Sequence, residues 1–245
     1  MKNISLWLVI VVLLIVSCTA DTIDTTESID SKVSSKKSGK TARLVQNLTP
    51  ENPANVYDFA GKLHNDILDI YLTGNYQYNT IAEIAQQIEA ITIVNRDSVF
   101  SNLKTNQPIN IEEIQEIVNN PESKLNEAIV NSSMTNVAKD SLSSFMNSLF
   151  LWENAAYEEI YESIISYEAS VMANTQFTNE DKRIILTTSS IARYSIYYAK
   201  ERKDKDWDSS VGNRVGGVSG AIDNSSTAVV MSLVAGIMIN NLAAD

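Results

Sequence analysis

The distribution of glycine and proline is the feature that most restricts the fold of this chain of 245 residues. No glycine lies between Gly74 and Gly212, and no proline follows Pro121. A β-sandwich of this size would need turn residues at intervals of about 8 to 12 residues. The distribution therefore argues against an all-β architecture and favours helices joined by few connections.

Apolar residues recur at steps of three and four after residue 55, which is the spacing of one helix face. Capping patterns mark two of the helix starts, Thr80 with Glu83 and Thr178 with Asp181. The segments predicted to be helical are 56–73, 81–91, 111–118, 125–129, 137–172 as one long segment, and 178–203.

We therefore predict an all-α protein, an irregular helical bundle behind a lipidated N-terminal tether, with a glycine-rich hydrophobic C-terminal segment. The predicted divisions are a signal peptide at 1–17, a lipid-anchored flexible tether at 18–54, a helical domain at 55–207, and a glycine-rich segment with a hydrophobic C-terminal helix at 208–245. The last division is expected to pack on the helical domain. The tether prediction depends on many Ser, Thr, Asp and Lys residues without an apolar period.

The first eighteen residues predict export. Lys2 supplies a positive charge, an apolar run spans residues 6–16, and Ser17 precedes Cys18, the only cysteine of the chain. The run is too short to span a bilayer comfortably. An ordinary cleaved signal with an incidental cysteine and an uncleaved anchor are the alternatives.

The segment Ile15-Val16-Ser17-Cys18 resembles the lipobox of bacterial lipoproteins, in which an aliphatic residue and a small residue precede the modified cysteine. The resemblance implies cleavage before Cys18 and its acylation by fatty acids such as palmitate. Two or three acyl chains anchor a protein firmly, at about 0.8 kcal/mol per buried CH₂. Thr19 is not the Asp that holds enterobacterial lipoproteins at the inner membrane. We therefore expect a lipid-anchored protein of the cell envelope, at the outer membrane if the host has two membranes.

The chain carries 19 Lys and Arg residues against 30 Asp and Glu residues, a net charge of −11. Phosphate backbones repel such a surface, so we expect no nucleic-acid partner. One cysteine and one histidine are too few for the usual zinc and di-iron sites, and we expect no metal and no cofactor. The sequence also lacks the usual serine-nucleophile and phosphate-loop motifs.

Two weak catalytic candidates remain. His64 has no carboxylate three or four residues away, so a structural role is favoured over that of a general base. Glu158, Glu159 and Glu162 place acids on adjacent turns, but no Glu-x-x-His pattern accompanies them, and a solvated acidic face accounts for them. We therefore expect a protein that is not an enzyme and has no catalytic residues.

Residues 52–65 are faintly similar to the opening of a group of uncharacterised exported bacterial proteins, which share an Asn-Pro start and a Gly-x-x-His-Asn core. The matching residues here are Asn52 and Pro53, then Gly61, His64 and Asn65. The similarity implies no chemistry. It indicates that Gly61, His64 and Asn65 form one structural unit, in which His64 or Asn65 ties the first helix to a neighbour.

Small or compact residues recur at every fourth position from Gly212 onward. Gly212, Gly216 and Gly220 resemble a glycine zipper, and Gly236 keeps the same spacing. Glycines at this spacing let a second helix approach closely. The uninterrupted apolar stretch, 228–239, is shorter than the roughly twenty residues of a spanning helix, so a stable transmembrane helix is not favoured.

Two interpretations of residues 212–245 remain open. In the first, 212–220 is a linker or a broken helix, and 227–243 is a hydrophobic helix buried in the bundle. In the second, the tail resembles the glycine-rich segments of membrane-active bacteriocins and pore-forming peptides, and it inserts on contact with a target. Asp223 and Asp245 count against deep insertion. The first interpretation is preferred.

Together these features predict a membrane-anchored bacterial lipoprotein, a non-enzymatic binding or interaction protein of the cell envelope. Its acyl chains would hold it to the membrane, and its C-terminal segment offers a site for a protein partner or for self-association. The alternative is a membrane-active or toxin-like lipoprotein that uses the zipper tail at 212–245.

Overall fold

The computed structural model describes residues 48–74, 76–94, 109–152, 155–201 and 211–244. Within these ranges the chain forms nine α-helices and no strand, which confirms the predicted all-α class. The predicted signal peptide, Cys18 and residues 19–47 of the predicted tether lie outside the described residues. The helices are α1 Asp58–Thr73, α2 Ile81–Val94, α3 Ile111–Asn119, α4 Pro121–Asn131, α5 Asn136–Leu151, α6 Tyr157–Ala173, α7 Asn179–Glu201, α8 Val211–Asp223 and α9 Ser225–Ala244.

Local hydrogen bonds begin two helices where the sequence predicts. The Glu83 amide donates to Thr80 Oγ1 at 3.2 Å. The Asp181 amide donates to Thr178 Oγ1 at 3.0 Å, and the Thr178 amide donates back to Asp181 Oδ2 at 2.9 Å. Both predicted caps are confirmed. Asp181 also accepts the amide and the hydroxyl of Thr135, each at 2.9 Å, which joins the start of α7 to the start of α5.

The one long helical segment predicted over 137–172 is wrong, because the chain divides at Trp152 into α5 and α6. A straight helix of that length would extend about 54 Å. The break instead lets α6 fold back, so that the rings of Phe145 and Tyr167 stack with centroids 4.3 Å apart. The hydroxyls of Tyr167 and Ser141 share a hydrogen bond of 3.1 Å. The apolar residues of α5 and α6, which the sequence places on one face of a single helix, therefore pack against each other.

The last helix, α9, is the centre of the core. It packs against α1, α2, α3, α7 and α8. Every residue from 228 to 237 is buried. Over this stretch apolar side chains occur on every side, which is the pattern of a helical segment without a solvent face.

Residues 212–220 are neither a linker nor a broken helix, because they lie within the continuous helix α8. Asn224 joins α8 to α9, and the two helices make the most extensive helix–helix contact of the described chain. Glycine within a helix costs about 1 kcal/mol relative to alanine. Close packing of α8 on α9 offsets that cost, and the sequence alone did not reveal this partner.

Residues 48–54, at the end of the predicted tether, are held against the folded domain. Leu48 packs on the core, Pro50 is buried, and Asn52 is only 7% exposed. Asn52 and Asn55 both donate hydrogen bonds to a buried carboxylate, described below. The ordered domain thus includes the Asn-Pro segment.

Candidate functional site

Gly61 lies where α1 approaches α7 most closely. A Cβ at this position would lie 2.4 Å from Tyr194 Cδ2 and 2.5 Å from the Ser190 carbonyl oxygen, so the contact requires glycine. The Gly61 amide donates to Ser190 Oγ at 3.1 Å, and that hydroxyl donates to the Asp58 carbonyl oxygen at 3.0 Å. The predicted structural unit therefore begins at a helix–helix contact.

His64 and Asn65 extend this contact into the core. His64 is fully buried, with Nδ1 3.1 Å from Asn65 Oδ1 and Nε2 2.8 Å from Asn213 Nδ2. Because an amide N–H donates to Nε2, the single ring proton lies on Nδ1 and donates to Asn65. Asn65 in turn donates to the Tyr194 carbonyl oxygen at 2.9 Å. His64 thus ties α1 to α8, and Asn65 ties α1 to α7.

Burial lowers the pKa of His64 from 6.5 to about 4, and the hydrogen bond with Asn65 opposes this shift only in part. A protonated ring would place an N–H donor on Nε2, facing the N–H donor of Asn213. The fold therefore keeps this imidazole neutral at physiological pH, which suits a structural group rather than a proton-transfer group.

Lowering the pH from 7.5 to 5 should remove about 2 kcal/mol of folding free energy through His64. The unfolded state takes up a proton near pH 6.5 and the folded state only near pH 4, so this contribution is complete above pH 6.5 and is lost as the pH falls toward 4. Urea unfolding at each pH measures the loss. In the variant His64→Gln the free energy of unfolding should depend less on pH, since the chain has one histidine. An equal pH dependence in both proteins would contradict the assignment of this loss to His64.

A buried ion cluster lies beside the His64 contact. Arg193 of α7 is fully buried, and its Nη2 lies 2.5 Å from Asp58 Oδ1 and 3.3 Å from Glu168 Oε1. Tyr194 donates its hydroxyl to the second Asp58 oxygen at 3.1 Å. Burial works against the charge of Arg193, but the two carboxylates outweigh it and raise the pKa of the guanidinium. The Arg193 cluster, which we define as Asp58, Glu168 and Arg193, joins α1, α6 and α7.

Glu168 also holds the Asn-Pro segment in place. Its Oε2 accepts from Asn52 Nδ2 at 2.5 Å, and its Oε1 accepts from Asn55 Nδ2 at 3.1 Å and from Ser189 Oγ at 2.8 Å. Asn55 donates further to the Leu186 carbonyl oxygen at 3.0 Å. The segment that precedes α1 is therefore fixed to α6 and α7 through one carboxylate.

Both carboxylates of the Arg193 cluster have each oxygen engaged by a donor. Within the described ranges, Arg193 Nε and Nη1 and the Tyr157 hydroxyl make no hydrogen bond. The arrangement is therefore suited to fixing the positions of α1, α6, α7 and the Asn-Pro segment.

The Arg193 cluster is not among the sites that the sequence predicts. Arg193 is the only charged residue between Ile184 and Ala199. Its isolation in the sequence is a signal of a buried ion pair. A charged side chain in an otherwise uncharged helical stretch is rarely buried unless it is paired with an opposite charge. Its partners lie far away in the sequence, and spacing alone does not identify them.

Three predicted zipper glycines, Gly212, Gly216 and Gly220, face α9. An added Cβ would come within 2.6 Å of an α9 atom in each case: Ile239 Cδ1 from Gly212 at 2.2 Å, the Met231 carbonyl oxygen from Gly216 at 2.5 Å, and Ala228 Cα from Gly220 at 2.6 Å. Gly236 is buried within α9 itself, and its carbonyl oxygen accepts from Asn240 at 3.0 Å. The first three glycines thus let two helices of the same chain pack closely.

Among the described helices, α9 alone is long and apolar enough to cross a membrane, over Ser225–Ala243. The stretch is longer than the apolar run at 228–239, because uncharged polar residues extend it at both ends. In this structure 61% of the stretch is buried inside the protein. Ser232 at its centre donates to the Asn213 carbonyl oxygen of α8 at 2.9 Å. A core helix of a folded domain has these properties too.

The remaining acidic candidates do not form a site. Glu158, Glu159 and Glu162 are all exposed on α6, as expected of a solvated face. In the part of the chain that the structure describes, no three His, Cys, Asp or Glu side chains lie together as a metal ion would require. No protein-family model, curated protein or solved structure matches the chain, so its function is inferred from its own residues.

Proposed function

We propose that this chain is a lipid-anchored, non-enzymatic binding or interaction protein of the bacterial cell envelope, held at the outer membrane where the host has two membranes. One observation carries the proposal: the only cysteine of the chain, Cys18, follows an apolar run at the position that a lipobox requires. The acyl chains would keep the helical domain at the membrane surface, with the described domain facing the solvent.

The interior chemistry supports binding over catalysis. The only imidazole, that of His64, and the guanidinium of Arg193 are both fully buried and bonded to neighbouring helices. They stabilise the domain from within. The net charge of −11 favours partners that carry positive charge over nucleic acid.

Changing Cys18 to Ala is expected to abolish incorporation of a palmitate analogue and to release the protein from the membrane fraction. The thiol is the only acyl acceptor that the lipobox resemblance provides, and without it the anchor is lost. The matched control is Ser17→Ala, which keeps a small residue before Cys18 and should keep the label. Equal labelling of Cys18→Ala and the unmodified chain would contradict the lipoprotein proposal.

A second candidate function is membrane activity of residues 212–245. The observation in its favour is that Ser225–Ala243 has the length and apolarity of a spanning helix. Release of a trapped dye from anionic liposomes by the purified chain tests it. We expect intact vesicles, because the apolar faces of α8 and α9 are already packed on each other and on α1 and α7. Rapid leakage would favour the second function.

A further inference from the structure

The segment that leads into α1 reverses the usual arrangement of polar and apolar side chains. Its two asparagines, Asn52 and Asn55, are buried. From residue 53 to residue 59 every exposed side chain is apolar, and these four residues define the entry patch: Pro53, Ala54, Val56 and Phe59. Val56 is 74% exposed and Phe59 is 36% exposed. Exposed apolar side chains that lie close together mark contact surfaces, whereas scattered ones do not.

Hydrogen bonds fix the backbone that carries the entry patch. The Asn55 amide donates to the Asn52 carbonyl oxygen, and the Asp58 amide donates to the Asn55 carbonyl oxygen, each at 2.9 Å. Both asparagine side chains also donate to Glu168 of the Arg193 cluster. The patch is therefore held in place from inside the domain, and a surface that covers it has little conformational entropy to remove.

The size of the entry patch favours a lipid surface over a protein. The patch consists of four side chains. A stable protein–protein interface takes about 20–30 residues from each partner, so a protein ligand or a second copy of this chain would need a wider surface. A few apolar side chains are enough at a bilayer when a lipid anchor already holds the protein there, because the anchor supplies a high effective concentration.

The place of the entry patch in the chain favours the same surface. The chain that follows the proposed anchor at Cys18 joins the described domain at Leu48, and Pro53 comes five residues later. In the described ranges these are the first exposed apolar side chains after the anchor. The patch thus begins the domain on the side of the chain that leads to the lipid.

The charge of the protein determines which lipid headgroups fit. The chain has a net charge of −11, and Glu51 is exposed just before the patch. The nearest exposed cation along the chain, Lys62, is paired with Asp66 at 2.8 Å. Anionic headgroups would repel such a protein, whereas zwitterionic headgroups would not.

We propose that the entry patch docks on a zwitterionic lipid surface, with Val56 and Phe59 inserted at the level of the headgroups. The acyl chains hold the protein at the membrane, and the patch orients the domain so that the start of α1 faces the lipid. The inference deepens the proposed function and rests on it, since the lipid anchor must bring the patch to the bilayer.

The experiment places a fluorophore at the entry patch of the full, acylated chain. Val56→Cys supplies a free thiol for an NBD label, because acylation occupies the thiol of Cys18, the only natural cysteine. The labelled protein is reconstituted into phosphatidylcholine vesicles with and without a nitroxide-labelled phosphatidylcholine. The matched control is Leu242→Cys, which replaces another exposed apolar residue. The neighbouring Asn241 contacts Tyr78, which follows the far end of α1.

We expect the nitroxide lipid to quench the label at position 56 about threefold more than the label at position 242. Phe59→Ser, made in the Val56→Cys chain, should remove most of this difference. Phe59 is not part of the apolar core, so the variant should fold, and circular dichroism checks this. Val130→Ser removes an exposed apolar residue of α4 and should leave the quenching unchanged.

Three outcomes would overturn the proposal. Equal quenching at positions 56 and 242, in protein that floats with the vesicles, would refute the docking and leave the lipid anchor intact. Failure of the chain to float with the vesicles would contradict the anchor and the docking together. A blue shift of the label at position 56 that depends on protein concentration, without quenching by the nitroxide lipid, would mean that a second copy covers the patch.

Discussion

Changing Arg193 to Met should lower the free energy of unfolding by about 3–5 kcal/mol, the largest effect we expect from any single substitution. Glu168 and Arg193 are both fully buried, and removing the guanidinium leaves the charge of Glu168 without its only cationic partner in the described chain. Asp58 loses the same partner. Because Met has nearly the same side-chain length as Arg, most of the lost free energy of unfolding should come from the missing charge rather than from the change in side-chain volume. Urea unfolding at pH 7.5 measures it.

The control is Lys62→Met, which breaks the Lys62–Asp66 pair on the surface of α1. The Lys62 side chain is 52% exposed, so its loss should cost less than about 1 kcal/mol. A cost for Arg193→Met no larger than that of Lys62→Met would contradict the role of the Arg193 cluster. Should Arg193→Met fail to fold, the double variant Arg193→Met with Glu168→Gln removes the orphaned charge and should recover part of the stability.

Helix positions were predictable because their causes are local. Apolar residues spaced three and four apart define one face of a helix. The caps at Thr80 and Thr178 are hydrogen bonds made within a single helical turn. The division at Trp152 was not predictable in this way. It is stabilised by Phe145 stacking on Tyr167, a contact between residues of different helices. The apolar spacing of three and four residues continues across Trp152, so it does not show that the chain folds back there.

The contacts within the candidate sites could not be predicted from sequence spacing either, because they join residues that are far apart in the chain. The sequence predicts that Gly61, His64 and Asn65 form a unit, but it does not show that His64 contacts Asn213, 149 positions away. Arg193 and Asp58 are separated by 135 positions. Sequence spacing reveals which residues are unusual, and tertiary packing decides which of them meet.

Two neighbouring glycines of α8 should respond in opposite directions to replacement by alanine. A Cβ at Gly216 would lie 2.5 Å from the Met231 carbonyl oxygen, which is backbone of α9, so the helices must separate. Overpacking of this kind costs about 1–3 kcal/mol. A Cβ at Gly217 would meet Ile191 Cγ2 at 3.6 Å, an ordinary contact. Gly217→Ala should therefore stabilise the fold by up to about 1 kcal/mol through helix propensity.

Urea unfolding, monitored by circular dichroism, compares Gly216→Ala with Gly217→Ala. Each variant adds the same single atom, a Cβ. Because α9 packs against α1, α2, α3 and α7 as well as α8, the Gly216→Ala transition should move to lower urea as one cooperative step. If α8 and α9 instead formed a unit that detaches readily for membrane insertion, Gly216→Ala would give an early, separate transition and leave the main one unmoved. Equal and small shifts for both variants would show that the close approach at Gly216 does not support the fold.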